Sequence, residues 1–463
     1  MMFKDFNHTY PYTRRDVLKT VGASLAGVSL LGGCNLNKRE EYTSDGRLII
    51  NYWEKWTNEE RAAMEVIVQK YNSLQSKVFV NYLSVGQIDT KLLLACMADA
   101  PPDVAGMRSK NIPDYVEKDA LIPLDGFLKD SDDIGVDQYI PKVLEMCQLY
   151  GFTWAVPTTP ASLALHYNKS MFRDAGLDPD RPPETIGELD EYNAILTKTN
   201  SSNQIKQMGF LPYDPDWYVE LFPFWFEGEY ISNDKSEVTP EHPGMIAAAE
   251  WIGSFAQNFG LDKIQEYRES AGGFDSVQNA FFTDRVAMQL QGVWMASFIE
   301  KYRPDLEWDV ATFPAVKPGE NIAALETDLL VIPRGAAHVE EAWDFIQFTQ
   351  QPENLIQLAQ AHRKFPPLAN ISDEFFDTHP NPHIRKFVQL ANSPNARYFP
   401  YWFELKRYAN DLRHAFDTVW LHQATAKDAM HQVKRTVQPH YKRAHERWQR
   451  IEPARRARWE TML

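Results

Sequence analysis

The chain of 463 residues is 44% hydrophobic and 24% charged, with 22 Gly, 29 Pro and 3 Cys, a globular composition that excludes a disordered, collagen-like or polytopic membrane protein. Its 63 Asp and Glu against 48 Lys and Arg leave a formal charge of -15, which opposes attraction to a phosphate backbone and sets nucleic acid aside as a partner. Such a length predicts two or three domains or one two-lobed body, and 26 Phe, 20 Tyr and 13 Trp are enough for some rings to face a ligand.

At the N-terminus Thr13-Arg14-Arg15-Asp16-Val17-Leu18-Lys19 precedes an uncharged stretch from Thr20 to Gly33. A basic region, a short apolar centre and small residues before Cys34 read as an export signal, too short and too rich in Gly and Ser for a membrane span. The paired arginines are similar to a twin-arginine signal, with Val17 where Phe is usual; secretion by the ordinary route is the alternative. Leu31-Gly32-Gly33-Cys34 resembles a bacterial lipobox, which implies cleavage after Gly33 and acylation of Cys34. Two or three acyl chains, at about 0.8 kcal/mol per buried CH₂, give durable attachment. The expectation is an exported protein on the periplasmic or cell-surface face of the membrane, lipid-anchored and not spanning. Cys96 and Cys147 then remain, as one disulfide or as two buried thiols, and without close His partners they offer no zinc framework.

After a polar tether, Leu48-Ile49-Ile50-Asn51-Tyr52-Trp53 reads as a buried strand, and Thr57-Asn58-Glu59-Glu60 as a capping box opening a helix. Met64, Ile67, Val68 and Tyr71 form one apolar stripe at i, i+3, i+4 and i+7, and 78–83 returns as a strand. Residues 88–97 are helix-like, Pro101-Pro102 breaks the pattern, 103–107 suggests a third strand and 112–118 a short helix. This alternation predicts an α/β lobe with a parallel core. Ligands of such sheets sit beyond the carboxyl ends of the strands, which points to Trp53, Glu54, Lys55 and Trp56 after the first strand and to Arg108, Ser109 and Asn111 after the third. The competing reading buries Trp53 and leaves Glu54 and Lys55 solvated.

From here the segments resemble, in order, the family 1 extracellular solute-binding proteins of ATP-driven sugar importers, the maltose-binding protein class. The resemblance rests on Pro102-Asp103-Val104, Leu121-Ile122-Pro123-Leu124, Tyr150-Gly151-Phe152-Thr153-Trp154-Ala155-Val156-Pro157 and the run Leu165 to Leu177 with Pro182-Pro183-Glu184-Thr185. It continues in Ala280 to Met288 with Gly292-Val293-Trp294, then Leu329-Leu330-Val331-Ile332-Pro333 and Glu341 to Ile346. It departs at Asp284-Arg285, where Gly-Lys is frequent, and at Leu325-Glu326-Thr327-Asp328, where a small Gly-rich turn is frequent.

The resemblance implies a two-lobed periplasmic-binding-protein fold of type II, with the ligand cleft between α/β lobes and closure by hinge bending. The implied layout is an export signal at 1–33, a tether at 34–47, a first lobe from 48–160 and 328–370, a second from 161–327, and C-terminal helices over 371–463. The implied function is capture of a carbohydrate for an ABC importer's permease subunits by a monomer, with no catalytic residue, cofactor or metal. Expected ligand-binding residues are Trp53, Glu54, Trp56, Arg108, Trp217, Trp225, Trp294, Glu326, Asp328 and Arg363, with Trp294 stacking on the solute and Gly292 letting it approach. Asp214 and Asp216 flank Trp217, while Tyr401, Trp402 and Glu404 rank lower, since aromatic pairs in a helical region are more often core.

From Lys427 to Leu463 ten Lys or Arg stand against four Asp or Glu, so a basic final helix faces solvent, anionic lipid or the importer. One rival is an exported polysaccharide-acting enzyme using pairs such as Asp214 and Asp216 or Glu326 and Asp328 as acid and base. Another is a binding lipoprotein serving a sensor.

Overall fold

The computed structural model describes residues 41–131, 134–215 and 218–462. The export signal, the lipobox with Cys34, Asp216 and Trp217 therefore lie outside the described residues. Two compact units divide the chain at Ile49 and Ile50. In the first, Thr43 to Arg47 closes a turn and Tyr42 bridges Leu48 in antiparallel fashion.

The second unit holds one large sheet. Its strands are β1 (Leu48–Glu54), β2 (Val78–Ser84), β3 (Val104–Arg108), β4 (Val156–Asn168), β5 (Met288–Gly292), β6 (Trp308–Ala311), β7 (Ala323–Val331) and β8 (Ala396–Arg397). The order is β6-β4-β7-β3-β1-β2, with β5 added on β4 and β8 on β7. Its α/β alternation follows the sequence pattern. Between β1 and β2 runs α1 (Asn58–Leu74), whose buried residues are the stripe Met64, Ile67, Val68 and Tyr71. Thr57 is its N-cap but its hydroxyl makes no cap bond, so the capping box gives the right place and the wrong chemistry. The helices α2 (Ile88–Met97) and α3 (Ile112–Glu117) flank β3.

Two long strands connect two groups of strands. The first half of β4 pairs antiparallel with β7 from Val156 to Ser162, and its second half pairs with β5 and β6 from Leu163 to Asn168. The last residues of β7 pair with β3, Asp328 opposite Arg108. Thus β1 to β3 belong to one lobe, β5 and β6 to the other, and β4 and β7 run between them. A register shift in β7 between Thr327 and Leu329 marks the crossing. In the first lobe Ile50, Tyr52 and Val68 pack with Trp343 and Phe345 of α7 (Val339–Thr349). Each such buried side chain contributes about 1.5–3 kcal/mol.

The second lobe adds α4 (Ile186–Leu196), where Thr185 does cap, its hydroxyl accepting from the Glu188 N–H at 3.1 Å, and α5 (Pro243–Phe259) and α6 (Met295–Tyr302). After α7 come α8 (Pro352–Ala361), α9 (Leu405–Trp420) and the 35-residue α10 (Ala426–Glu460). Cys96 and Cys147 are both free and buried, so of the two readings the thiol pair holds. Among the described residues no helix is long and apolar enough to cross a membrane.

Candidate functional site

The carboxyl ends of β1 and β3 meet the middle of β7, as a parallel sheet requires of a site. There Lys55 Nζ lies 2.9 Å from Asp328 Oδ1 and 3.1 Å from Glu54 Oε1, and Lys364 Nζ lies 3.1 Å from Asp328 Oδ2. Thr159 on β4 donates to the same Asp328 oxygen at 3.1 Å, and Tyr52 donates to Glu54 Oε2 at 2.9 Å. Burial alone would raise the Asp328 carboxyl, but Lys364 and Lys55 hold it far below the usual carboxylate range. Burial raises Glu54, with Asp328 adding to the effect and Lys55 opposing it. Two carboxylates and two ammonium groups thus neutralise one another with little lone-pair capacity left over.

Farther along β7, Glu326 stands opposite Ala161 of β4 and is half-buried. Tyr218 and Glu220 from the second lobe and Tyr401 from the C-terminal region all feel its charge, and Tyr401 also lies by Ser109 of the first. The Glu220 carboxyl is pushed up to about 7, chiefly by burial and further by Glu326, against the pull of Arg413 and Lys110.

Tyr401 also lines a groove of about 770 Å³, within the range of small-molecule sites. One wall comes from 142–153 of the first lobe, the other from 224–235 of the second, and the base from 394–402. Its rings include Tyr150, Tyr230, Tyr398, Tyr401 and Trp402, and its charges include Lys142, Glu145, Lys235 and Arg397. Tyr398 donates to Glu145 at 2.9 Å and packs 5.0 Å from Tyr401, while Lys235 Nζ sits 5.1 Å over Trp402. The Tyr401 hydroxyl and the Trp402 indole N–H are buried with no hydrogen-bond partner among the described residues. Rings, carboxylates and cations on one concave surface can hold a solute with both apolar faces and hydroxyls.

The expected site residues divide. Trp53 is half-buried, its indole N–H without a hydrogen-bond partner among the described residues, and Arg108 is exposed, 3.8 Å from Asp89. Trp56 is a core residue, edge-on to His362 at 4.7 Å. Trp225 is 0% exposed, packed against Phe313 at 4.8 Å and donating to the Ile322 carbonyl at 3.2 Å. Neither ring presents a free face on which a solute could stack in this structure. Trp294 is half-buried between two apolar clusters, and its own ring covers Gly292 so closely that a methyl group there would overlap it. The space that Gly292 opens is therefore taken by Trp294, not by a solute. Arg363 pairs with Glu300 of α6 at 3.2 Å, joining the end of α8 to the second lobe. Tyr401 and Trp402 pack on the core, as aromatic pairs in a helical region do, and also line the groove base, while Tyr230, Tyr398, Glu220 and Lys364 went unseen in the sequence. Among the described residues no group of three or more His, Cys, Asp or Glu could hold a metal ion.

Residues 55–355 match the family model for bacterial extracellular solute-binding protein. A putative binding protein of Brucella abortus is 24% identical over 344 residues, 73% of this chain and 80% of the relative. The maltotriose-binding protein of Pyrococcus abyssi is 22% identical over 341 residues, 73% of this chain and 70% of the relative. Among solved structures, CpMnBP1 with mannobiose bound superposes with a TM-score of 0.73 at 23% identity, covering 83% of this chain and 98% of its own. The sugar-binding protein MalE of Xanthomonas citri gives 0.71 at 18% identity, covering 86% and 98%. At these identities the likeness to solved structures shows the fold alone: two α/β lobes.

Proposed function

The chain belongs to the bacterial extracellular solute-binding protein family, and from that premise we propose that it captures a carbohydrate in the groove between its lobes and delivers it to an ABC importer. The observation carrying this reading is the groove itself, with Tyr230, Tyr398 and Trp402 beside Glu145 and Arg397 where the two lobes face each other. Sugar rings offer apolar C–H faces to such aromatics and hydroxyls to such charges. Relatives named for maltotriose and mannobiose support the same class of solute.

Delivery proceeds by hinge bending at β4 and β7, the strands that run between the lobes. Closure strips water from ring faces and charges together, which strengthens both kinds of contact. The solute shifts the protein toward the closed form by its higher affinity for that form. The protein acts as a monomer, exported and held to the membrane through Cys34, on the strength of the Leu31-Gly32-Gly33-Cys34 sequence.

The test is a thermal-shift screen of the mature chain against mono-, di- and oligosaccharides, with polyamines and amino acids as controls and chromatography for consumption. One carbohydrate class should raise the melting temperature saturably and survive intact; at a hundredfold excess over Kd the gain is about 2.7 kcal/mol. A response to the controls alone, or consumption of the sugar, overturns the reading.

A further inference from the structure

The longest helix touches both lobes. Toward its N-terminal end α10 is fixed to the second lobe, where Lys434 Nζ meets Glu237 at 2.5 Å and the Val238 carbonyl at 2.7 Å. Gln438 accepts from the Val238 N–H at 2.9 Å, Tyr441 donates to the Lys235 carbonyl at 2.7 Å, and Met430, Val433 and Val437 are buried. Its other end lies on the first lobe. Arg455 donates to the carbonyls of Val116 and Glu117, Arg456 to that of Tyr150 at 2.7 Å, and Arg458 pairs with Asp119. Trp459 is 0% exposed, edge-on to Trp154 at 4.7 Å and to Phe152 at 5.4 Å. Three of the arginines that make this helix basic thus serve the fold.

From Lys434 to Trp459, at 1.5 Å per residue, the two sets of contacts span about 37 Å of one helix. A rotation of one lobe against the other must detach one set or bend the helix between them. Pro439 falls within the second-lobe set and Pro453 within the first-lobe set, between Trp448, stacked on Tyr150 at 4.3 Å, and the arginine cluster, so the stretch between the two sets is uninterrupted helix with no proline to bend at. The same helix backs the groove, since Tyr150 and Trp402 line it while Tyr150 meets Trp448 and Trp402 meets Tyr441 at 6.2 Å.

We infer that α10 is a strap that sets the angle between the lobes and hence the width of the groove, held at one end by the second lobe and docked at the other on the first through Arg455, Arg456, Arg458 and Trp459. Its consequence for solute capture rests on the hinge-bending reading above; its existence does not.

The experiment measures the distance between lobes in the full chain without solute, using spin labels at Lys91→Cys and Glu184→Cys, both exposed positions. The triple variant Arg455→Ala, Arg456→Ala, Arg458→Ala should broaden the distance distribution and raise deuterium uptake over 446–460 at least tenfold in rate. The double variant Lys434→Ala, Gln438→Ala, which releases contacts of the second-lobe set and leaves the arginines in place, should broaden the same distribution, which keeps the test open if the triple variant folds poorly. Distributions that stay unchanged in the double variant and in a folded triple variant overturn the strap. No arm needs a sugar, so a failure of carbohydrate binding and a failure of the strap are read separately.

Discussion

Lys55, at the end of the first strand, reaches Asp328 on a crossing strand at 2.9 Å, and Lys364 meets the other oxygen of the same carboxylate at 3.1 Å. One carboxylate therefore ties β1, β7 and the segment after α8. Removing one partner of a buried pair leaves charge without compensation, at a cost of about 3–5 kcal/mol. Asp328→Asn should lower the urea midpoint accordingly with an unchanged slope. In that background Lys364→Met should cost less than it does alone, because the two share an interaction; strictly additive losses would show that the contact is not energetically coupled.

Gly106 of β3 faces the same cluster from below. A methyl group at this position would overlap the Glu54 carboxylate, and the carboxylate cannot swing away without abandoning its bonds to Tyr52 and Lys55. Gly106→Ala should destabilise the protein by about 1–3 kcal/mol, and Glu54→Ala in the same chain should recover part of that loss. Chemical denaturation of the three variants decides it: no recovery means the clash lies elsewhere.

The first lobe was legible because its signals are local. A stripe at 64, 67, 68 and 71 needs only its own helix to define a buried face, and all four are buried. The fates of the tryptophans were not legible. Trp225 is sealed by Phe222 and by Phe313, far away in sequence, while Trp294 lies over Gly292 and packs between two clusters built from distant segments. The groove base was hidden for the same reason: 394–402 reaches the groove through pairing of β8 with β7. At 363–364 the sequence pointed to Arg363 and gave no sign of the ion pair made by its neighbour. Arg363 adopts a left-handed φ of 56° and pairs with Glu300, and its neighbour Lys364 meets Asp328.

Trp402 and Trp294 both pack on the core, but only Trp402 lines the groove. Trp402→Ala removes a half-buried ring that also meets Phe403 and Tyr441, and should weaken sugar binding about tenfold to a hundredfold as well as lower the melting temperature. Trp294 touches two apolar clusters, so Trp294→Ala should destabilise the fold, by about 3–5 kcal/mol reduced in proportion to its exposure, and lower the melting temperature clearly. Calorimetric titration beside thermal melts of both variants checks this. A Trp294→Ala protein that melts normally and no longer binds would make that ring a solute contact.

Glu220 gives the site a pH dependence of known sign. Burial pushes its carboxyl from an ordinary 4.5 up to about 7, so between those values the folded chain holds a proton that the unfolded chain has lost. Its contribution to stability is therefore full below pH 4.5 and is lost as pH rises through 7. Burial pushes Glu117 up to about 7 as well and acts in the same sense. His166 and His362 act oppositely: burial lowers both to about 3, so stability falls as pH drops from 6.5 toward 3. The wild-type profile mixes these trends, and only the difference from Glu220→Gln isolates one. Relative to wild type, the variant should gain stability progressively from pH 4.5 to 7, on the order of 1–3 kcal/mol in all, and gain nothing more above that. Urea titrations at half-unit steps from pH 4.5 to 8 measure the difference, and parallel profiles for the two proteins would mean that Glu220 ionises as freely in the fold as in water.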